Sequence, residues 1–237
     1  MKLNIFLDHP KYKCLNENTN FIKNFIYIAV PKTGSTSIRN QLSNNSTYFI
    51  SNPHLTLNQT KDLIYPYLLS CNLGRNMNFP TTKNSPPSDS ELRQLSSEIF
   101  KRMFKFGSVR NPWARVYSLY TRKEAIQCKN KISFSLFLEN LRFANDTCLH
   151  PLRTKNQIDW FLDNKGINLA NYIYKLEDLN KAINEIKDLT NDRIILKNES
   201  LNVNNKTYDY RKYYDEKGKD IVAKLFEKDI DYFKYHF

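Results

Sequence analysis

Twice in this chain a short β-rich run ends in a compact polar turn and passes directly into helix-forming sequence. The first run is Phe25-Ile26-Tyr27-Ile28-Ala29-Val30, apolar throughout, which reads as a buried strand. Pro31 closes it, Lys32 to Ser37 make a small polar turn, and Ile38 to Leu42 begin a helix. The second run is Phe104 to Val109. Arg110-Asn111-Pro112 follows, and Pro112 suits the first turn of a helix over Trp113 to about Gln127, with Val116, Leu119 and Tyr120 on one face. Strands alternating with helices predict an α/β fold, a mostly parallel central sheet flanked by helices on both faces. Ligands of such sheets bind at the carboxyl ends of the strands, where the Lys32 turn and Arg110 both fall.

Strand, hydroxyl-rich turn and helix together form a geometry that holds a phosphate. Backbone N–H groups at the helix N-terminus point at the anion, and Gly34 lets the backbone come close. Lys32 adds a point charge; Thr33, Ser35, Thr36 and Ser37 add hydroxyls. The order is not that of a Walker A motif, which needs G-x-x-x-x-G-K-[ST] with the Lys late. The plain alternative is an ordinary βα turn capped by Ser or Thr. In the second unit, Arg110 ends the strand and Ser118 lies about two turns into the helix. An Arg fork and a Ser hydroxyl so placed can converge on one phosphate. The plain alternatives are a surface salt bridge and a small helical residue.

The 237 residues, 41% of them apolar, suffice for one sizeable core, and a single domain over 1–237 is expected. Residues 1–24 form a polar lead-in at the sheet edge, and the Asn-, Pro-, Thr- and Ser-rich stretch 71–87 a surface loop or insertion. A net charge of +12 suggests a polyanionic partner, although the abundance of Lys, Asn and Ile also fits coding bias. No segment has signal-peptide or membrane-spanning length, so a cytoplasmic chain without a transmembrane segment is expected. Cys14, Cys71, Cys128 and Cys148 have no close metal spacing. Cys128 and Cys148 could pair, but a cytosolic chain keeps thiols reduced.

Further elements follow from caps and patterning. Thr47 to Ile50 is a short strand, and Thr56 caps a helix over Leu57 to Ile64. Ser88 with Glu91 forms a capping box for a helix to about Met103, and Ser133 caps one from Phe134 to about Phe143. Ile158 to Leu162 and Tyr172 to Lys175 are strands separated by a turn at Asp163 to Gly166. Glu177 to Leu189 is a helix, Arg193 to Leu196 an extended piece, and Lys212 to Phe233 one or two helices.

Several segments in order carry a resemblance to the sulfotransferases. P-K-T-G-S-T-S at 31–37 resembles their 5′-phosphosulfate loop, and Arg110 and Ser118, eight residues apart, resemble their 3′-phosphate motif. The set R-N-P-W-x-R-x-x-S-x-Y is similar to carbohydrate sulfotransferases of the Golgi and their bacterial relatives. Gln157 to Asp163, Asn171 to Leu179, and the tail from Tyr210-Arg211-Lys212-Tyr213-Tyr214 through Tyr232-Phe233 look like later family segments. Coverage runs from about residue 25 onward. Relatives often carry R-P-Q just before this segment, where this chain has Arg153-Thr154-Lys155-Asn156-Gln157 with two basic residues to choose from, and the insertion at 71–87 has no obvious counterpart. Without an anchor, a bacterial or viral member is implied.

The resemblance implies 3′-phosphoadenosine 5′-phosphosulfate as donor, no metal, and a carbohydrate or polysaccharide acceptor that an excess of basic side chains suits when acidic. Lys32 would meet the bridging oxygen. The backbone of Thr33 to Thr36, including Gly34, and the hydroxyls of Ser35, Thr36 and Ser37 would hold the 5′-phosphate. Arg110, Ser118 and Arg211 would hold the 3′-phosphate. The acceptor hydroxyl needs a base, and His54 is the first candidate, with His150 second. Glu98 and Asp62 are acidic alternatives; His9 and His236 are structural. Trp113 suits the core, and Tyr213 and Tyr214 suit either core or acceptor. Competing classes are a sulfotransferase of protein tyrosine or small lipids, a P-loop nucleotide phosphotransferase, and a basic nucleic-acid-binding protein. The last lacks a concentrated basic block here.

Overall fold

A computed structural model of the chain describes residues 15, 17–42, 54–73, 87–121, 132–141, 156–198 and 209–237. Four strands pair in the order β1 (Thr19–Asn20), β2 (Phe25–Ile28), β3 (Phe104–Val109) and β4 (Tyr172–Lys175). The last three are parallel, with Ile28 opposite Gly107 and Val109 opposite Lys175. β1 is an antiparallel edge strand, which puts Thr19 and Asn20 at the sheet edge.

β2 is buried on both faces, which is why its sequence is continuously apolar. Ile26, Ile28 and Val30 join one core with Trp160, Phe161, Trp113 and Val222; Phe25, Tyr27 and Ala29 join the other with Ile38, Phe106, Tyr174 and Ile186. Gly107 is required by close approach. A Cβ there would stand 2.7 Å from Ile28 O and 2.8 Å from a Phe161 ring carbon.

Helix α1 (Ser35–Leu42) follows β2, and α2 (Leu57–Leu73) begins behind a reciprocal cap, Thr56 with Gln59. α2 runs past the expected end, through Pro66, and takes in three residues of the stretch expected as a loop. α3 (Asp89–Arg102) opens on the expected Ser88–Glu91 capping box. α4 (Pro112–Tyr120) carries Pro112 at its start, and Ser133 caps α5 (Phe134–Glu139). α6 (Leu179–Leu189), α7 (Glu216–Leu225) and α8 (Glu227–Phe233) follow later in the chain.

One expected strand is corrected. Ile158–Trp160 is a 3-10 turn, because the buried Asp229 carboxylate takes the backbone N–H groups of Gln157 and Ile158 at 2.7 and 2.9 Å. Only Leu162 pairs, as a bridge to Asn168. Arg193 to Leu196 joins no sheet; beyond it, the Gln41 side chain bonds both backbone groups of Lys197. The expected helix at Glu177 begins with a 3-10 turn, Leu176–Asp178. The strand expected at Thr47 to Ile50, the far end of the helix after Tyr120, His9, His150 and the side chains of all four cysteines lie outside the described residues.

Candidate active site

The register of β2 against β3 brings the turn after β2 and the turn after β3 to one edge of the sheet. In the first turn Lys32 (φ 66°) and Gly34 (φ 76°) have left-handed backbone and flank Thr33. Such residues in a turn form a concave nest of N–H groups. Left-handed backbone at a residue with a Cβ costs on the order of 1 kcal/mol, so the surroundings must enforce it. They do so through four consecutive carbonyls. Val30 O accepts from Thr33 Oγ1 at 2.9 Å, and Pro31 O from Arg115 Nε at 3.0 Å. Lys32 O accepts from Arg110 Nη1 at 3.4 Å, and Thr33 O from Ser108 Oγ at 3.0 Å.

With those carbonyls held by side chains, α1 begins at Ser35. The N–H groups of a first helical turn have no acceptor within the helix, and the helix dipole adds positive potential there. Thr36 is exposed and Ser37 half-buried, whereas Ser35 and Thr33 are buried. The Thr33 hydroxyl serves the loop itself, 2.7 Å from Ser108 Oγ. Gly34 is exposed, yet a Cβ on it would meet Leu176 Cδ1 at 2.7 Å.

The second turn is built differently. Asn111 caps α4 with its own side chain, which accepts from Trp113 N at 3.1 Å and Ala114 N at 3.4 Å. Glu177 Oε1 accepts from Asn111 N at 2.8 Å. The N-terminus of α4 is thus answered from within the protein, and the cation this turn offers is the half-buried Arg110 side chain. Burial pulls its guanidinium below the usual range, against the nearby charge of Glu177. Gln157 grips Arg110 by both backbone groups: its Oε1 accepts from Arg110 N, and its Nε2 donates to Arg110 O, each at 2.8 Å.

Ser118 is half-buried on α4. Arg211 lies on the 3-10 turn Tyr210–Tyr213, which packs on α4 through a Tyr213–Tyr117 stack with centroids 4.5 Å apart. Its guanidinium faces Asp209 at 3.7 Å and the Tyr210 ring at 4.9 Å. Trp113 is core, as expected: it is buried, and its Nε1 donates to Lys219 O at 3.1 Å. Tyr214 is buried with its hydroxyl on Trp113 O, whereas Tyr213 is exposed.

His54 stands at the end of β2. Its Nδ1 lies 2.6 Å from Ala29 O, and the ring meets Trp160 edge-on at 6.0 Å. A carbonyl only accepts, so in the neutral ring Nδ1 carries the proton and Nε2 holds the basic lone pair. The acidic alternatives, Asp62 and Glu98, are exposed on α2 and α3, with Glu98 accepting from Gln94.

The residues that shape the site without being foreseen are Ser108, Arg115, Gln157, Glu177 and Asp229. Four of them stand inside segments quoted for the resemblance, which was the one signal available; nothing marks Ser108. Among the described residues no helix is long and apolar enough to cross a membrane. No curated protein and no solved structure gives a significant match to the chain. Residues 19–236 match the model of the sulfotransferase family. A mostly parallel sheet flanked by helices, two cation-bearing turns at one strand edge and a match over nearly the whole chain agree: the chain belongs to the sulfotransferase family.

Proposed function

We propose that the chain transfers a sulfuryl group from 3′-phosphoadenosine 5′-phosphosulfate to a hydroxyl of a carbohydrate acceptor, with His54 as general base. The observation that carries the donor reading is the meeting of two motifs 78 residues apart, Arg110 Nη1 on Lys32 O. One turn offers backbone N–H groups and Lys32, the other a guanidinium, which suits a nucleotide with anionic groups at two positions. Gly34 keeps the cradle open on a side where a Cβ would press on Leu176.

The bound donor supplies an electrophilic sulfur and a phosphate leaving group. Lys32 neutralises charge as it develops on the bridging oxygen, in a site positioned before the reaction begins. The backbone of Thr33 to Thr36, with the hydroxyls of Ser35, Thr36 and Ser37, holds the 5′-phosphate. Arg110, Ser118 and Arg211 hold the 3′-phosphate. His54 Nε2 takes the proton of the acceptor hydroxyl, while the Ala29 carbonyl fixes the tautomer. The R-N-P-W-x-R-x-x-S-x-Y string supports a carbohydrate acceptor, and the net charge of +12 supports an acidic one.

Calorimetric titration with 3′-phosphoadenosine 5′-phosphate tests the donor, with ATP as control. Tight binding of the bisphosphate and weak binding of ATP is the expected result; no binding of the bisphosphate overturns it. A screen of glycan acceptors with the sulfated donor then tests the acceptor class.

A further inference from the structure

Beneath the two turns lies a polar network whose inner members are buried. Gln157 and Asp229 are both fully buried. Asp229 Oδ2 accepts from Gln157 N at 2.7 Å and from Gln157 Nε2 at 3.3 Å, and its Oδ1 accepts from Ile158 N at 2.9 Å. Gln157 is thereby fixed at both ends of its residue, and its amide grips Arg110 N and Arg110 O. Arg110 in turn reaches Lys32 O. On the other side Arg115, fully buried, donates to Pro31 O. Burial raises the Asp229 carboxyl above its usual range, opposed by the N–H groups of Gln157 and Ile158 and by the charge of Arg115. Hydrogen bonds therefore run from Asp229 through Gln157 and Arg110 to Lys32, while Arg115 holds the neighbouring Pro31 carbonyl and places its charge near Asp229.

A buried charge is a poor way to fill a core. Apolar residues of the same volume often stabilise as well or better, so such a network calls for a role in fixing geometry. Here the geometry fixed is the backbone of one residue, Arg110, relative to one loop. Resting on the donor reading above, we propose that Gln157 and Asp229 are positioning residues for the donor's 3′-phosphate: they set the place of Arg110 against the Lys32 loop without touching the nucleotide. The amide of Gln157 bonds the main chain of Arg110 on both sides, so an apolar side chain of equal length leaves the guanidinium present but its base unheld.

The test compares 3′-phosphoadenosine 5′-phosphate with adenosine 5′-phosphate, which lacks the 3′-phosphate, by calorimetry on the full chain. In Gln157→Met the bisphosphate affinity falls about tenfold or more while the monophosphate affinity changes little, so that the preference collapses. A purely structural role lowers both affinities together. Gln157→Asn, which keeps the amide but shortens its reach, gives the same collapse and serves where the Met variant does not fold. A wild-type chain that binds both nucleotides equally overturns the donor reading and this inference with it. A wild-type preference that survives in the folded variant overturns the inference alone.

Discussion

Thr33 and Ser108, 75 residues apart, hold each other at the base of the first turn: Thr33 Oγ1 lies 2.7 Å from Ser108 Oγ, which also lies 3.0 Å from Thr33 O. With Val30 O accepting from Thr33 and the Tyr27 hydroxyl 3.5 Å from Ser108 Oγ, Ser108 has one proton for three neighbouring oxygens. Ser108→Ala removes that proton and leaves buried oxygens short of a donor, at a cost of about 1–3 kcal/mol. Urea denaturation measures that loss. Titration with 3′-phosphoadenosine 5′-phosphate is expected to show weaker binding as the turn loosens, and unchanged affinity would mean that the turn holds its shape without Ser108.

Lys32 and Arg110 contribute charge at the strand edge and little to the core. Lys32→Ala and Arg110→Ala are each expected to lower turnover about 10²–10³-fold. The unfolding free energy should move by less than ~1 kcal/mol. Near-wild-type turnover in either variant removes that residue from the site.

His54→Ala separates donor binding from chemistry. With Nδ1 on Ala29 O, the ring acts through Nε2 on the acceptor side, so turnover falls about 10²–10⁴-fold. Affinity for the bisphosphate is expected to stay at the wild-type value. Lost bisphosphate binding would place His54 in the donor pocket instead.

Gly34→Ala tests the nest. The new Cβ would stand in backbone with φ 76° and 2.7 Å from the tip of Leu176. Leu176 can shift, so the backbone strain dominates, at about 1–2 kcal/mol. Donor affinity should fall with it, and a stable variant with full affinity would show that the left-handed turn is dispensable.

Tyr27 offers a test by pH. Burial pushes its hydroxyl up to about 12 from 10.0, against the Ser108 hydroxyl 3.5 Å away, the neighbouring Tyr174 hydroxyl and the charge of Arg39. The folded chain holds this proton more tightly than the unfolded chain. Its contribution to stability is complete below pH 10.0 and is lost as pH rises through about 12. Denaturation midpoints taken across that window should therefore fall less steeply in Tyr27→Phe than in the wild type. Equal slopes would show that Tyr27 titrates normally.

What could be foreseen from residues alone was local. The runs 25–30 and 104–109, the caps at Thr56, Ser88 and Ser133, Pro112 at a helix start, and the paired cations follow from neighbours a few positions apart. The misjudged pieces depend on distant partners. Ile158 to Leu162 has strand-like composition, but Asp229 captures its first N–H groups. α2 continues through Pro66 because burial of Ile64 and Leu68 in the core outweighs one missing helix donor. Gln157 had no local pattern to show its role, because it grips a backbone 47 residues away, and its one sign was its place in a segment that resembles the family.

The separations along the chain have a consequence for the order of folding. Lys32 meets Arg110 across 78 residues, Gln157 meets Asp229 across 72, and Asn111 meets the carbonyl of His236 across 125. Each link closes a long loop, which is slow, and none can form before its later partner has been synthesised. A growing chain that has both cation-bearing turns but not yet Asp229 still lacks the residue that steadies Arg110. On the proposed function, nucleotide capture is then among the last abilities the molecule acquires, and bound nucleotide would stabilise chiefly the finished chain.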